Sequence, residues 1–138
     1  VDTDKRIVAE HGPIAELFSR HGEPRFRAIE RQAVAAALRE EAVVSLGGGA
    51  VLDPETREDL AGLPVVQLTT TPEAVSTRIG DGKRPLLKDG TAAWEALVAS
   101  RQPIYDAVAT ITIDTSRTPI DAVAERVAGW VREREEHA

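Results

Sequence analysis

Short apolar segments that alternate with proline-initiated segments are the feature that most constrains how this chain can fold. Three segments of strand length, rich in β-branched residues, lie at residues 42–46, 64–68 and 109–114. The stretches around them carry helix signals. Strands that are separated by helices pair in parallel, with right-handed crossovers and helices on the faces of the sheet. The sequence therefore predicts an α/β fold.

Proline and glycine mark the predicted helix boundaries, because proline suits the first helical position and glycine the end of a helix. Gly12-Pro13 separates two short helices, and Gly22 ends the second of them. Pro103 is expected to kink or end the next-to-last helix, and the charged tail from residue 132 is expected to fray. The other helices are predicted at residues 24–40, 53–61, 71–80 and from residue 118 onward, with a glycine-rich loop at residues 80–90.

Length and charge narrow the class of protein. A chain of 138 residues suits one domain, residues 1–138, with a core of its own. The net charge of −6 disfavours nucleic acid as a partner, and the absence of cysteine excludes disulfides and thiolate metal sites. No apolar segment is long enough to span a membrane, and the three histidines share no metal-ligand spacing. We expect a cytoplasmic protein without membrane or nucleic-acid partners.

Two groups of charged residues lie in the first part of the chain. Asp2 and Asp4 could face one cation or one substrate hydroxyl, or they could be a solvated pair or a helix cap. Arg27 stands three residues before Glu30, so the two side chains share a helix face. This spacing fits a surface ion pair as well as a ligand-binding arginine.

Three consecutive glycines, Gly47 to Gly49, directly follow the first predicted strand. At that edge of a parallel sheet, glycines let backbone N–H groups approach a ligand closely. A tight turn that needs positive φ is the alternative, but one or two glycines would satisfy it.

Two further arginines are candidates for binding anions. Arg84 follows Lys83 in the loop at residues 80–90, where a mobile segment could bring it to a phosphoryl group, although a solvated basic loop has the same composition. Arg101 lies two residues before Pro103, and could be a surface arginine or a clamp for a carboxylate.

The order of these motifs is similar to that of the shikimate kinase family. The pattern runs Asp-Thr-Asp, Gly-Glu-x-x-Phe-Arg-x-x-Glu, Gly-Gly-Gly, Arg-Pro-Leu-Leu and Arg-x-Pro-x-Tyr, from Asp2 to about Pro119. The resemblance implies the three-layer fold of the nucleoside-monophosphate kinases, with a five-stranded parallel sheet. It also implies ATP-dependent phosphorylation of the shikimate 3-hydroxyl in aromatic amino-acid (chorismate) biosynthesis, with Mg²⁺ as cofactor and a monomeric enzyme.

The resemblance assigns the shikimate site to helices at about residues 5–40 and to the glycines. Asp4 matches the residue that hydrogen-bonds the shikimate hydroxyls and acts as the catalytic base. Arg27 and Arg101 match the two arginines that clamp the carboxylate, and Glu30 supports the first of them. The glycines whose backbone meets the substrate correspond to Gly48 and Gly49.

The resemblance assigns fewer residues to the ATP side. Arg84 matches the catalytic lid arginine that reaches the nucleotide phosphates. Asp2 matches the acid near the magnesium, which it reaches through water. Arg117 and Pro119 resemble the loop that covers adenine.

The family's phosphate-binding loop, Gly-x-x-x-x-Gly-Lys-[Ser/Thr], has no counterpart in these residues, because Gly82-Lys83 is followed by Arg84. We therefore expect a domain that is incomplete at its N-terminal side, without its first strand, loop and first helix. Such a chain is expected to be inactive alone, and to be unstable or to associate through unpaired strand edges.

Two other functions remain open at this point. One is a non-catalytic module that binds shikimate for a regulatory purpose. The other is a different small-molecule kinase, such as one that acts on gluconate. The paired arginines and the three glycines favour shikimate over gluconate.

Overall fold

A computed structural model describes residues 1–71, 74 and 92–136 of the chain. It divides into two compact units, Val1–Leu63 and Pro64–Ala138, and each is described by itself. The predicted helix at residues 71–80 and the predicted loop at residues 80–90, with Arg84, lie outside the described residues except at Thr71 and Ala74. There the Thr71 hydroxyl accepts a hydrogen bond from the Ala74 N–H at 3.2 Å, as a helix cap would.

Helices α1 (Thr3–His11) and α2 (Ile14–Ala37) form most of the first unit. Helix α1 ends at Gly12, which has φ of 91°, and α2 is interrupted at Gly22, where φ is 79° and ψ 168°. The break predicted at Gly22 is thus confirmed, and α2 ends three residues earlier than predicted. Ile7, Leu17, Phe26 and Ile29 form the buried core of this helical pair.

After α2 the chain follows an irregular path to a 3₁₀ helix, Ala50–Leu52, and then α3, Pro54–Leu60. The predicted strand at residues 42–46 is wrong in extent, since only Ser45 forms a bridge, parallel to Asp2. A strand needs a paired neighbour, and in this unit only the first residues of the chain supply one, through Ser45 N–H to Val1 O at 2.7 Å. The helix predicted at Asp53-Pro54 is confirmed: the Asp53 carboxylate accepts from the Glu55 N–H at 2.8 Å.

The second unit contains the parallel strands β1 (Val66–Thr69) and β2 (Ile111–Asp114), paired from Val66↔Ile111 to Thr69↔Asp114. Both lie where strands were predicted, within two residues. The unit also contains α4 (Ala92–Val108) and α5 (Ile120–Glu136).

Two predictions about these helices are corrected. Pro103 does not end helix α4, which continues to Val108, while the kink expected at this proline stays a prediction. Helix α5 extends to Glu136, so residues 132–136 of the tail that was expected to fray are helical in the structure. Within the described part of the chain, no helix has the length and apolar character that crossing a bilayer requires.

Candidate active site

Arg27 is held in place by two carboxylates of its own helix. Its Nη1 donates to Glu30 Oε1 at 2.9 Å, and its Nε lies 3.4 Å from Glu23 Oε1. Glu30 is buried with 4% of its surface exposed, whereas the Glu23 side chain is 61% exposed. A buried ionised carboxylate requires a partner, so Arg27 and Glu30 depend on each other and are not a surface pair.

The glycine turn comes so close to two of the predicted site residues that a Cβ on Gly47 or Gly49 would force their side chains to shift. A Cβ on Gly49 would lie 2.7 Å from Arg27 Cζ, and a Cβ on Gly47 would lie 2.9 Å from Asp4 Oδ1. Within the described ranges the positive-φ glycines are Gly12, Gly22 and Gly62, and Gly49 has φ of −91°. Close approach, and not an unusual turn conformation, therefore explains why glycine occupies these positions.

Asp2 and Asp4 have different positions in α1. The Asp2 side chain caps the helix and accepts a hydrogen bond from the Lys5 N–H at 3.2 Å, so the helix-cap interpretation holds for Asp2. Asp4 lies in the first turn and is half-buried against the glycine turn. Burial raises the pKa of the Asp4 carboxyl, the Asp2 carboxylate raises it further, and the Arg27 guanidinium partly lowers it. A carboxylate with a raised pKa beside a cation is suited to accepting a proton.

Arg101, Arg117 and Pro119 lie in the second unit. Arg101 is half-buried on α4, and the other two are exposed between β2 and α5. The pKa of Asp114 is lowered, first by hydrogen bonds from Ser116 and less by the charge of Arg117. Gly48 is exposed between the two glycines that make the close contacts, and Arg84 lies outside the described residues.

The structure brings together Asp4, Arg27, Glu30 and the glycine turn, and it shows two contacts that the sequence did not predict. Gly47 contacts Asp4, and Glu23 pairs with Arg27. Glu23 could have been found from its spacing, four residues before Arg27 on the same helix. The contact of Gly47 with Asp4 depends on how α1 and the turn meet, which no local pattern shows.

The two aspartates are suitable ligands for a hard divalent cation. Among the described residues no group of three or more His, Cys, Asp or Glu side chains could hold a metal ion. The mutual repulsion of Asp2 and Asp4, which contributes to the raised pKa of Asp4, is the kind of interaction that a cation relieves. Magnesium commonly binds one or two carboxylates and keeps several waters, so this pair fits Mg²⁺ better than a fully enclosed metal site.

Comparisons with known proteins identify the family to which the chain is similar. A family model described as shikimate kinase matches residues 1–132. The shikimate kinase of Mycobacterium avium (strain 104) is 46% identical over 132 residues, which cover 92% of this chain and 75% of that protein. The shikimate kinase of Thermobifida fusca (strain YX) is 42% identical over 132 residues, 93% of this chain and 77% of that protein.

Solved structures show the same fold. Shikimate kinase from Acinetobacter baumannii, in complex with shikimate, superposes with a TM-score of 0.84 at 29% identity, covering 96% of this chain and 78% of that one. Shikimate kinase from Aquifex aeolicus has a TM-score of 0.77 at 25% identity, covering 97% and 81%. The predicted fold class and the resemblance are confirmed, and the chain belongs to the shikimate kinase family of phosphotransferases.

Proposed function

We propose that this chain carries the substrate site of an enzyme that transfers a phosphoryl group from ATP to the 3-hydroxyl of shikimate. One observation supports this most strongly: Arg27, supported by the buried Glu30, lies against Gly49, and Asp4 lies beside it against Gly47. A fixed cation next to a carboxylate of raised pKa suits a ligand that has both a carboxylate and a hydroxyl. Shikimate is such a ligand, and the Acinetobacter baumannii relative was solved in complex with it.

Arg27 and Arg101 are proposed to bind the shikimate carboxylate. A guanidinium has five N–H donors in a rigid fork, and the contacts of Arg27 with Glu30 and Glu23 use two nitrogens. The remaining donors match the planar geometry of a carboxylate. Gluconate also has a carboxylate, so competition between the two ligands is part of the test.

Asp4 is proposed to bind the reacting hydroxyl and to accept its proton. Phosphoryl transfer depends mainly on positioning and charge neutralisation, so the base must hold the hydroxyl in line with the phosphoryl group. The backbone N–H groups of Gly48 and Gly49 would orient the ring. Asp4 lies in the first turn of α1, next to Gly47.

The ATP side is proposed from the family pattern. ATP is the co-substrate of the family, and Mg²⁺ would neutralise the phosphate charge, with Asp2 holding it through water. Arg84 would reach the phosphates, and Arg117 and Pro119 would lie over adenine.

Calorimetric titration of the chain with shikimate tests the proposal. Arg27→Ala should weaken shikimate binding on the order of 30-fold or more, because the variant lacks the guanidinium proposed to bind the ligand carboxylate. Arg101→Lys should also weaken binding, because lysine cannot form the fork. Arg25→Ala, which removes an exposed arginine of the same helix, is the matched control and should bind normally.

Unchanged affinity in both Arg27→Ala and Arg101→Lys would contradict the carboxylate clamp. Displacement of bound shikimate by an equal concentration of gluconate would favour the hypothesis of a kinase that acts on gluconate. Shikimate binding without ATP consumption, by a polypeptide that also carries a phosphate-binding loop, would favour the non-catalytic module.

A further inference from the structure

The contact between Arg27 and Gly49 depends on where the chain after the glycine turn is anchored. Gly49 is buried and directly precedes the 3₁₀ helix Ala50–Leu52, which leads through Asp53 into α3. Too few residues separate Gly49 from α3 for the turn to move while α3 stays in place. The position of α3 relative to α2 therefore decides how closely Gly49 approaches the guanidinium.

The 3₁₀ helix and α3 are tied into one piece by Arg57. Its Nη1 donates to the carbonyl oxygens of Val51 at 2.8 Å and Leu52 at 3.1 Å. These carbonyls end a short helix and need donors from outside it. A displacement of α3 should therefore move the whole segment from Gly49 to Leu60.

Arg31, on α2, connects that helix to the segment from Gly49 to Leu60. All three of its polar contacts are with residues of α3. Its Nη2 lies 2.7 Å from Asp59 Oδ2, its Nη1 donates to Thr56 Oγ1 at 3.1 Å, and its Nε lies 3.5 Å from Glu55 Oε2. Thr56 is 1% exposed, and the Arg31 side chain is 20% exposed. Because the three nitrogens belong to one planar group, they fix the direction as well as the distance of α3.

Arg27 and Arg31 are four residues apart and therefore lie on the same face of α2, one turn from each other. Arg27 meets the start of the segment at Gly49, and Arg31 meets its end on α3. We propose that Arg31 is a positioning residue for substrate binding: by holding α3 against α2, it keeps Gly49 packed on Arg27 and so presents the Arg27 fork to the ligand carboxylate. This inference rests on the proposed function, since it assumes that Arg27 binds that carboxylate.

A double-mutant cycle with two ligands tests the proposal. Shikimate and its methyl ester are titrated into the wild-type chain, Arg31→Leu, Arg27→Ala and the double variant. Arg31→Leu should weaken shikimate binding about tenfold, within the range of coupling between residues of one network. It should leave binding of the methyl ester unchanged, and it should cause no further loss when Arg27 is already alanine.

Two further variants define the mechanism. Arg25→Leu removes an exposed arginine from the same helix and should bind both ligands as the wild type does. Arg31→Lys keeps the charge and loses the fork, so it should give an intermediate loss. If Arg31→Leu does not unfold cooperatively and is therefore not folded, Arg31→Lys takes its place in the double-mutant cycle.

Equal losses for both ligands, or a full additional loss in the Arg27→Ala background, would overturn the proposal and leave Arg31 with a general stabilising role. If the wild type binds no shikimate, the proposed function fails, and the positioning role is decided by NMR. A nuclear Overhauser effect between the Arg27 guanidinium and the Gly49 α-protons should be present in the wild type and lost in Arg31→Leu. Its persistence in the variant would overturn the positioning role.

Discussion

At Gly49 the main chain passes so close to the Arg27 guanidinium that even a methyl group has no room. Arg27 cannot retreat easily, because its Nη1 donates to Glu30, which is buried and would lose this ion pair. The requirement for glycine at this position is therefore steric, and it exists because the ion pair with Glu30 holds Arg27 in place. This differs from the requirement at Gly22, where the backbone conformation itself excludes other residues.

Gly49→Ala is expected to lower shikimate affinity by about tenfold or more, because the new Cβ displaces Arg27, and small displacements of a positioning group are costly. Overpacking should also reduce the free energy of unfolding by roughly 1–3 kcal/mol. Calorimetric titration and denaturant unfolding measure the two effects. Gly129→Ala is the control, since nothing lies within 4 Å of its Cβ. Normal affinity in Gly49→Ala would show that Arg27 can move without consequence.

Asp4 links stability to pH. Its pKa in the folded chain is raised above the ordinary value of 3.8, by burial first and then by Asp2. Between these two pKa values the folded state binds more protons than the unfolded state, so the free energy of unfolding falls as pH rises through this interval. Above the raised pKa the Asp4 carboxylate is ionised in the folded state, and its full destabilising effect on the free energy of unfolding is present.

Asp4→Asn should therefore melt at a higher temperature than the wild type at pH 7, and the difference should shrink as pH falls toward 3.8. Thermal melts of both proteins across this range measure it. Asp121→Asn, at an exposed position in the first turn of α5, is the control. A difference in melting temperature that does not change with pH would show that ionisation of Asp4 is not its cause.

At the scale of elements, the break in α2 at Gly22 sets the direction of the helical half that carries Arg27. With φ of 79° and ψ of 168°, Gly22 adopts a conformation that residues with a Cβ avoid. Pro24 then starts the second half, where a missing N–H costs nothing. The break lets Leu17 and Phe26, on opposite sides of it, share one core with Ile7 of α1.

Gly22→Ala should reduce the free energy of unfolding by about 1–3 kcal/mol, the usual cost of a residue forced into this region. In contrast, Gly129→Ala in the interior of α5 should add up to about 1 kcal/mol through helix propensity. Urea unfolding of both variants provides the comparison. Equal behaviour of the two alanine variants would mean that the bend can form without glycine.

At the scale of the whole molecule, the residues proposed for shikimate binding come from both units of the chain. The first unit holds Asp4, Arg27 and Glu30, and the second unit holds Arg101, Arg117 and Pro119. The 138 residues contain no Gly-Lys followed by Ser or Thr, the pattern that cradles ATP phosphates in this type of kinase. Binding of shikimate and turnover of ATP should therefore be separable.

A polypeptide of these 138 residues is expected to bind shikimate without consuming ATP. A coupled assay for ADP, with shikimate and Mg²⁺ present, measures turnover, and titration of the same sample with shikimate measures binding. Release of ADP that depends on shikimate would refute this expectation. Failure of both measurements in a folded sample would instead contradict the proposed substrate site.

The sequence by itself determined the features that depend on neighbouring residues. The cap at Asp53, the glycine that interrupts α2 and the apolar segments that form β1 and β2 were readable from short stretches of sequence. The order of motifs along the chain marked the family, and a helix cap was one of the roles open for Asp2. At Pro103 the local rule allowed a kink or an end, and the structure shows that the helix does not end there.

Only the tertiary structure decided which distant residues meet. The contacts of Gly47 with Asp4, of Gly49 with Arg27, and of Arg31 with Thr56 and Asp59 join residues far apart in the sequence. The extent of pairing at Ser45 was decided in the same way, by the neighbours available to it. Such contacts form only when the chain closes on itself, and local propensity carries no information about that closure. For this reason the sequence could name Arg27 and Asp4, but not the packing that holds them in place.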